Sequence, residues 1–142
     1  MSDFSAFLAQ NKVKSENIKF AVSKSFIGAD GKPIEWELRA VTADEDEAIR
    51  RAATKKTKVP GRSNQYTSEM DGNTYLSKLT AASVVYPDLR NAELQNSYKV
   101  MGEEALLKAM LTGGEFVTLS GKVAEINGFD TSIEDSIEEA KN

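Results

Sequence analysis

Residues 84–129 constrain the fold more than any other stretch, because breakers interrupt them too often for one long helix. Pro87, Gly102, the Gly113-Gly114 pair and Gly128 divide the stretch into short segments. Each segment carries its aliphatic side chains at helical spacing. Asn91 can cap a short helix bearing Leu94 and Tyr98, and a second runs from about Glu103 to Leu111 with Leu106, Leu107, Met110 and Leu111 on one broad face. Thr112 and Glu115 fit a capping box that opens a third helix, with Phe116, Leu119, Val123 and Ile126 spaced 3, 4, 3 and Gly128 as its stop. This face is either domain core or a partner groove.

The preceding chain has a different period. Residues 18–27 and 34–41 alternate, placing Ile18, Phe20, Val22 and Phe26 on one face and Ile34, Trp36, Leu38 and Ala40 on its match. The intervening turn formers, with Asp30-Gly31, predict a β-hairpin across about 18–41. Two strands alone are marginal in water, so helices or another chain must cover the Trp36 face. Thr42 and Glu45 form another capping-box pattern and predict a helix over about 43–55, with an acidic start, a basic end and a Glu47 to Arg51 pair. Its apolar face is thin, essentially Ile49, Ala52 and Ala53, which places it on the surface. Residues 55–73 show no sustained period and read as a long loop. Asn73 can then cap a helix over about 74–85, with Leu76, Leu79, Ala82 and Val85 or Tyr86 facing inward, ended by Pro87. The expected class is therefore α+β and mostly helical, a hairpin followed by about five short helices. At 142 residues the chain has the size of one domain, read as an arm (1–14), a folded body (15–129) and an acidic tail (130–142).

The chemistry is narrow. With neither cysteine nor histidine, thiolate sites, cysteine nucleophiles and the commonest general base and metal ligand are excluded. No cofactor-binding, metal-binding or catalytic constellation stands out: the glycine spacing of GADGKP is wrong for a phosphate loop, and Asp44–Glu47 lacks calcium-loop spacing. No apolar run approaches a membrane span and the start lacks a signal-peptide pattern, so the chain is expected to stay in the cytosol.

What remains is surface. Phe4, Phe7 and Leu8 sit at i, i+3, i+4 spacing in the arm, which either packs back on its own body or docks on a partner. Arg50, Arg51, Lys55, Lys56, Lys58 and Arg62 form a basic cluster with Tyr66 beside it. The cluster reads as a solvated helix end and loop, as a face for an acidic protein or as a nucleic-acid site, the last opposed by the net charge of −4. The tail carries Ile133 and Ile137 among carboxylates and reads as a frayed helix or solvated segment.

Three collinear segments carry a family resemblance: DGKPIEWELRAVTADEDEAIRR at 30–51, YLSKLTAASVVYPDLRNAELQNSY at 75–98 and GEEALLKAMLTGGEFVTLSGKVAEINGFD at 102–130. The chain resembles the phage XkdN-like tail assembly chaperones. The family pattern leads one to expect glycine at 99 and proline at 113. Lys99 argues against a tight turn between Tyr98 and Met101, and Gly113 loosens the third helix's start. The resemblance implies a non-enzymatic assembly role in the host cytoplasm, binding the tape measure protein, bringing tail tube subunits to it, and absence from the mature virion. It also implies self-association or a longer, frameshifted form with a C-terminal extension. The alternative is a structural tail or baseplate adaptor retained in the virion.

Overall fold

The computed structural model describes residues 3–129, so the segment 130–142 lies outside the described residues. Two 3-10 turns, Phe4–Phe7 and Ala9–Asn11, precede strands β1 (Ile18–Phe20) and β2 (Trp36–Leu38). Helix α1 (Ala43–Ala52) leads into β3 (Thr54–Lys58) and β4 (Tyr66–Met70), and α2 (Gly72–Ser83) leads directly into β5 (Val84–Tyr86). Helices α3 (Ala92–Ser97), α4 (Glu103–Met110) and α5 (Gly113–Ile126) complete an α+β architecture.

The core forms where β2 meets the helices. Trp36 and Leu38 point inward from β2 while Glu37 points away, and both join one buried cluster with Leu79, Leu106, Leu107, Leu119 and Val123. Helix α2 is the hub of the helical side, contacting α1, α4, α5 and β5. Its buried face is partly polar, and Thr80 resolves the cost of that burial. The Thr80 hydroxyl donates to Leu76 O at 2.7 Å and lies 3.2 Å from Ser120 Oγ of α5.

The first hairpin exists but is shorter than its alternation predicts. Pairing holds at Ile18↔Leu38, Lys19↔Glu37 and Phe20↔Trp36. Beyond it the Ser23 hydroxyl accepts the Ser25 amide at 3.0 Å, a local bond that competes with the ladder and turns the chain. Val22 is buried, but Ala40 is exposed. The hairpin does not stand alone: β5 pairs with β2 antiparallel, Leu38↔Val84 and Glu37↔Tyr86 with a register shift between them, giving a three-stranded sheet in the order β1-β2-β5. The β-branched Val84-Val85 and Tyr86 prefer extended backbone, so α2 ends at Ser83. Val85 and Tyr86 are consequently exposed rather than inward-facing, and Leu76 and Ala82 are half-buried while Leu79 is buried.

Several caps fall where the sequence places them. Thr42 with Glu45 and Thr112 with Glu115 both form complete capping boxes. Asn91 Oδ1 accepts the Leu94 amide at 2.9 Å. The α2 cap is Asp71, not Asn73, since its carboxylate is placed to accept two amides, those of Asn73 at 3.0 Å and Thr74 at 3.3 Å. Helix α1 stops at Ala52 and buries none of its residues, as its thin apolar face predicts.

The turn after α3 is present despite Lys99. The Lys99 amide donates to Asn96 O and the Val100 amide to Gln95 O, the paired bonds of a Schellman motif, and Lys99 takes φ +57° to make them. The same pair closes α5, where Gly128 at φ +80° occupies the equivalent place without a Cβ penalty. Replacing Lys99 with glycine is therefore expected to stabilise the fold by about 1 kcal/mol, read as a higher urea midpoint at unchanged slope. Leu107→Ala, which empties a fully buried site, is expected to cost about 2–5 kcal/mol in the same titration.

Candidate functional site

The basic cluster does not lie on a loop. Residues 54–70 form a β-hairpin, with Thr54↔Met70, Lys55↔Glu69, Lys56↔Ser68, Thr57↔Thr67 and Lys58↔Tyr66 in register. Val59 to Arg62 make the turn: the Arg62 amide donates to Val59 O at 3.2 Å, and Gly61 has φ +80° after Pro60, the positions a type II turn demands. The Asp71 amide donates to Ala53 O at 2.9 Å and closes the hairpin base between α1 and α2.

Every residue of β3 and β4 is exposed. Alternation then separates two faces. One carries Lys56, Lys58, Tyr66 and Met70, and the other carries Lys55, Thr57, Thr67 and Glu69. Lys55 lies 3.7 Å from Asp71, whereas among the described residues neither Lys56 nor Lys58 has an ion-pair partner within 4.0 Å. Arg62 donates to Gln65 Oε1 at 3.3 Å within the turn.

Arg50 and Arg51 belong to a different structure. Arg51 pairs with Glu47 at 3.0 Å along α1. Arg50 pairs with Asp46 at 2.8 Å and lies 4.6 Å over the Tyr75 ring, whose hydroxyl donates to the other Asp46 oxygen. This clamp ties α1 to α2. Burial alone would raise the Asp46 pKa, but hydrogen bonds from Tyr75 and Arg50 outweigh it and leave the carboxyl below its ordinary value. Burial, helped by the bond to Asp46, pushes the Tyr75 phenol up to about 12. Next to Asp46 in the first turn of α1, Glu45 makes a bidentate pair with Arg39 at 3.0 and 2.6 Å, and the same carboxylate accepts the Thr42 amide. The Arg39 bonds first, then the Thr42 amide, lower the Glu45 pKa to about 2. The six basic residues thus divide, two into the helix clamp and its flank and four onto the hairpin.

The arm presents its apolar residues outward. Phe4 is 74% exposed and Phe7 85%, with Leu8 at 37%, so the aromatic pair does not pack back on the body. The arm is a pair of 3-10 turns rather than a regular helix, and Asp3 makes no side-chain cap bond. A second apolar feature escaped the sequence pattern: Leu76, Phe116, Val117, Gly121 and Ala124 line a shallow groove between α2 and α5. Val117 is the signal, an exposed aliphatic residue off the 3, 4, 3 stripe whose Leu119 and Val123 are fully buried. Among the described residues no group of three or more acidic, histidine or cysteine side chains is placed to hold a metal ion, and no helix is long and apolar enough to cross a membrane.

These surfaces sit on a scaffold that known proteins share. Residues 4–141 match the phage XkdN-like tail assembly chaperone family, and the chain belongs to it. It is 31% identical over 141 residues to the phage-like element PBSX protein XkdN of Bacillus subtilis strain 168, covering 99% of this chain and 94% of that protein. It is 29% identical to the uncharacterized protein YqbN of the same strain, over 99% of this chain and 93% of that one. A crystal structure of YqbN superposes with a TM-score of 0.77 at 25% identity, covering 92% of this chain and 99% of that one.

The Glu45 and Tyr75 ionisations set opposite limits on stability. Glu45 is depressed from 4.5 to about 2, so its contribution is present at neutral pH and is lost as pH falls from about 4.5 through 2. Tyr75 is raised from 10.0 to about 12, so its contribution is complete below pH 10 and is lost as pH rises through 12. Denaturation midpoints measured across pH should therefore converge for wild type and Glu45→Gln only below about pH 2. Tyr75→Phe should shrink the alkaline limb and, because the Tyr75 bond also helps hold the Asp46 carboxyl low, weaken the acid limb as well.

Proposed function

We propose that the chain is a non-catalytic tail assembly chaperone that binds the tail tape measure protein and helps bring tail tube subunits to it. Family membership across residues 4–141 is the observation that carries this reading. It acts as one domain in the host cytoplasm and leaves before the virion is complete. The arm, through Phe4, Phe7 and Leu8, and the hairpin, through Lys55, Lys56, Lys58 and Arg62, supply the contacts, with Arg50 and Arg51 flanking them. An arm with exposed apolar side chains and an exposed basic ribbon suit a long helical partner, because several weak contacts along its length give avidity without one tight site. Self-association, or pairing with a frameshifted longer form, multiplies those contacts.

The test is coexpression with the neighbouring tape measure protein. The two should copurify, and the tape measure protein should lose solubility when this chain is omitted. Phe4→Ser with Phe7→Ser should weaken capture at least tenfold while leaving the denaturation midpoint of the chaperone within error. Equal solubility with and without this chain, and no copurification, would contradict the proposal. A stoichiometric amount of the protein in purified mature tails, measured by mass spectrometry, would instead identify a retained structural component.

A further inference from the structure

The two faces of the β3–β4 hairpin differ in charge. Residues 54–70 hold Lys55, Lys56, Lys58 and Arg62 against Glu69, a net of +3 in a chain of net −4, so the other residues together carry −7. On one face Lys55 stands opposite Glu69 and lies 3.7 Å from Asp71, and so meets two carboxylates. On the other face neither Lys56 nor Lys58 has an ion-pair partner within 4.0 Å among the described residues. The register arranges this second face in two rows. Strand β3 contributes Lys56 and Lys58, and β4 contributes Tyr66 and Met70, 62% and 39% exposed, on either side of Ser68.

We propose that the face formed by Lys56, Lys58, Tyr66 and Met70 takes an acidic amphipathic helix of the tape measure protein, with carboxylates along β3 and apolar side chains along β4. The inference rests on the tape measure reading and narrows the hairpin's part in it to one face and one partner chemistry. Charge complementarity selects an acidic partner, because carboxylates supply the two lysines with counter-charges that the described residues do not. Spacing selects a helix. Lys56 and Lys58, two residues apart on a strand, are separated by about 7 Å, and carboxylates at i and i+4 on a helix by a rise of about 6 Å. Tyr66 and Met70 lie about 14 Å apart along β4, a length that two to three helical turns cover. The two rows are about 5 Å apart, so both are met only by a surface two side chains wide. A helix face offers that width, whereas a single extended strand presents one line of side chains to each side.

Other occupants fit this face less well. Nucleic-acid phosphates would meet the lysines, but Met70 offers no ring on which a base could stack, and Tyr66 is the one aromatic residue of the face. The −7 carried by the rest of the chain also opposes a polyanion that extends past the hairpin. Arg50 and Arg51 do not enlarge the basic surface, because Asp46 and Glu47 already hold them. The same face of a second copy would set lysine against lysine. The opposite hairpin face lacks both the unpaired cations and the apolar row. Met70 adds tolerance, since its flexible side chain packs against apolar residues of differing shape. One hairpin face can therefore engage successive acidic helices along a long partner.

The test titrates the full chain into fluorescent, overlapping peptides of about twenty residues, a length of about 30 Å as helix, that cover the neighbouring tape measure protein. The peptides that bind are expected to carry carboxylates at i and i+4 with apolar residues on the adjoining flank. Their affinity should fall at least fivefold between 50 mM and 500 mM NaCl. Lys56→Glu with Lys58→Glu should weaken these peptides at least tenfold, and changing their i and i+4 carboxylates to lysine should restore binding to that variant. The restoration separates lost charge from a hairpin that fails to fold. Tyr66→Ser with Met70→Ser should weaken binding while leaving its salt dependence, and Lys55→Gln on the opposite face should change affinity less than threefold. Selection of basic or uncharged peptides, or unchanged affinity in the double glutamate variant, would overturn the proposal. So would a twenty-nucleotide single-stranded DNA that binds through Lys56 and Lys58 where the acidic peptides do not. Copurification of the intact tape measure protein without binding of any acidic peptide would overturn this inference alone, whereas loss of both would overturn the tape measure reading as well.

Discussion

Burial of Trp36 and Leu38 is the interaction on which the remaining structure depends. They are the inward residues of a three-residue strand, 1% and 0% exposed, and they are held between β1 and β5 on the sheet side and the α2, α4 and α5 cluster on the other. Neither layer has enough apolar surface to stand without the other. Polar bonds then lock the layers at their margins: Asn127 accepts the Val41 amide and donates to Val123 O, joining the end of α5 to the chain between β2 and α1.

Outside this core the molecule changes character. Helix α1 buries none of its residues and is held by ionic and hydrogen bonds, Arg39 with Glu45 in its first turn and Asp46 with Arg50 and Tyr75 along its length. The hairpin that follows is tied at its base by the Asp71 amide to Ala53 O bond, by the Thr54 hydroxyl to Arg50 O and by the Lys55–Asp71 pair, and every residue of its two strands is exposed. The apolar arm is similarly outside the core. A packed centre with projecting, chemically distinct surfaces is the arrangement on which the proposed binding role rests.

The legible parts of the sequence were those with local chemistry. Both capping boxes, the Asn91 cap and the Gly128 stop depend on side chains within a few residues, and the sequence displays them directly. The buried stripe of α5 and the inward faces of Trp36 and Leu38 followed from periodicity. The β3–β4 hairpin did not, because both of its faces are exposed and mostly polar and no sustained hydrophobic alternation marks it. Its signals were Pro60-Gly61 and the β-branched Thr54, Thr57 and Thr67. Strand β5 was hidden differently: Val84-Val85-Tyr86 continues the apolar content of α2, and only pairing with β2 decides where the helix stops. Lys99 shows the reverse case, in which tertiary and capping bonds impose a left-handed turn that local preference opposes. Of the candidate surface residues, the sequence left the arm either packed back or free, and it merged the α1 clamp with the hairpin cluster, since adjacency along the chain does not reveal that Arg50 is engaged by Tyr75.

The central claim is a division of labour between a rigid core and peripheral contact surfaces. Amide hydrogen exchange, measured on the chain alone and in complex with the tape measure protein, tests it most directly. The account predicts slowed exchange in residues 3–14 and 54–70 on complex formation, with α2, α4 and α5 already protected and unchanged. Protection gained chiefly in those three helices, with the arm and hairpin unaltered, would contradict it.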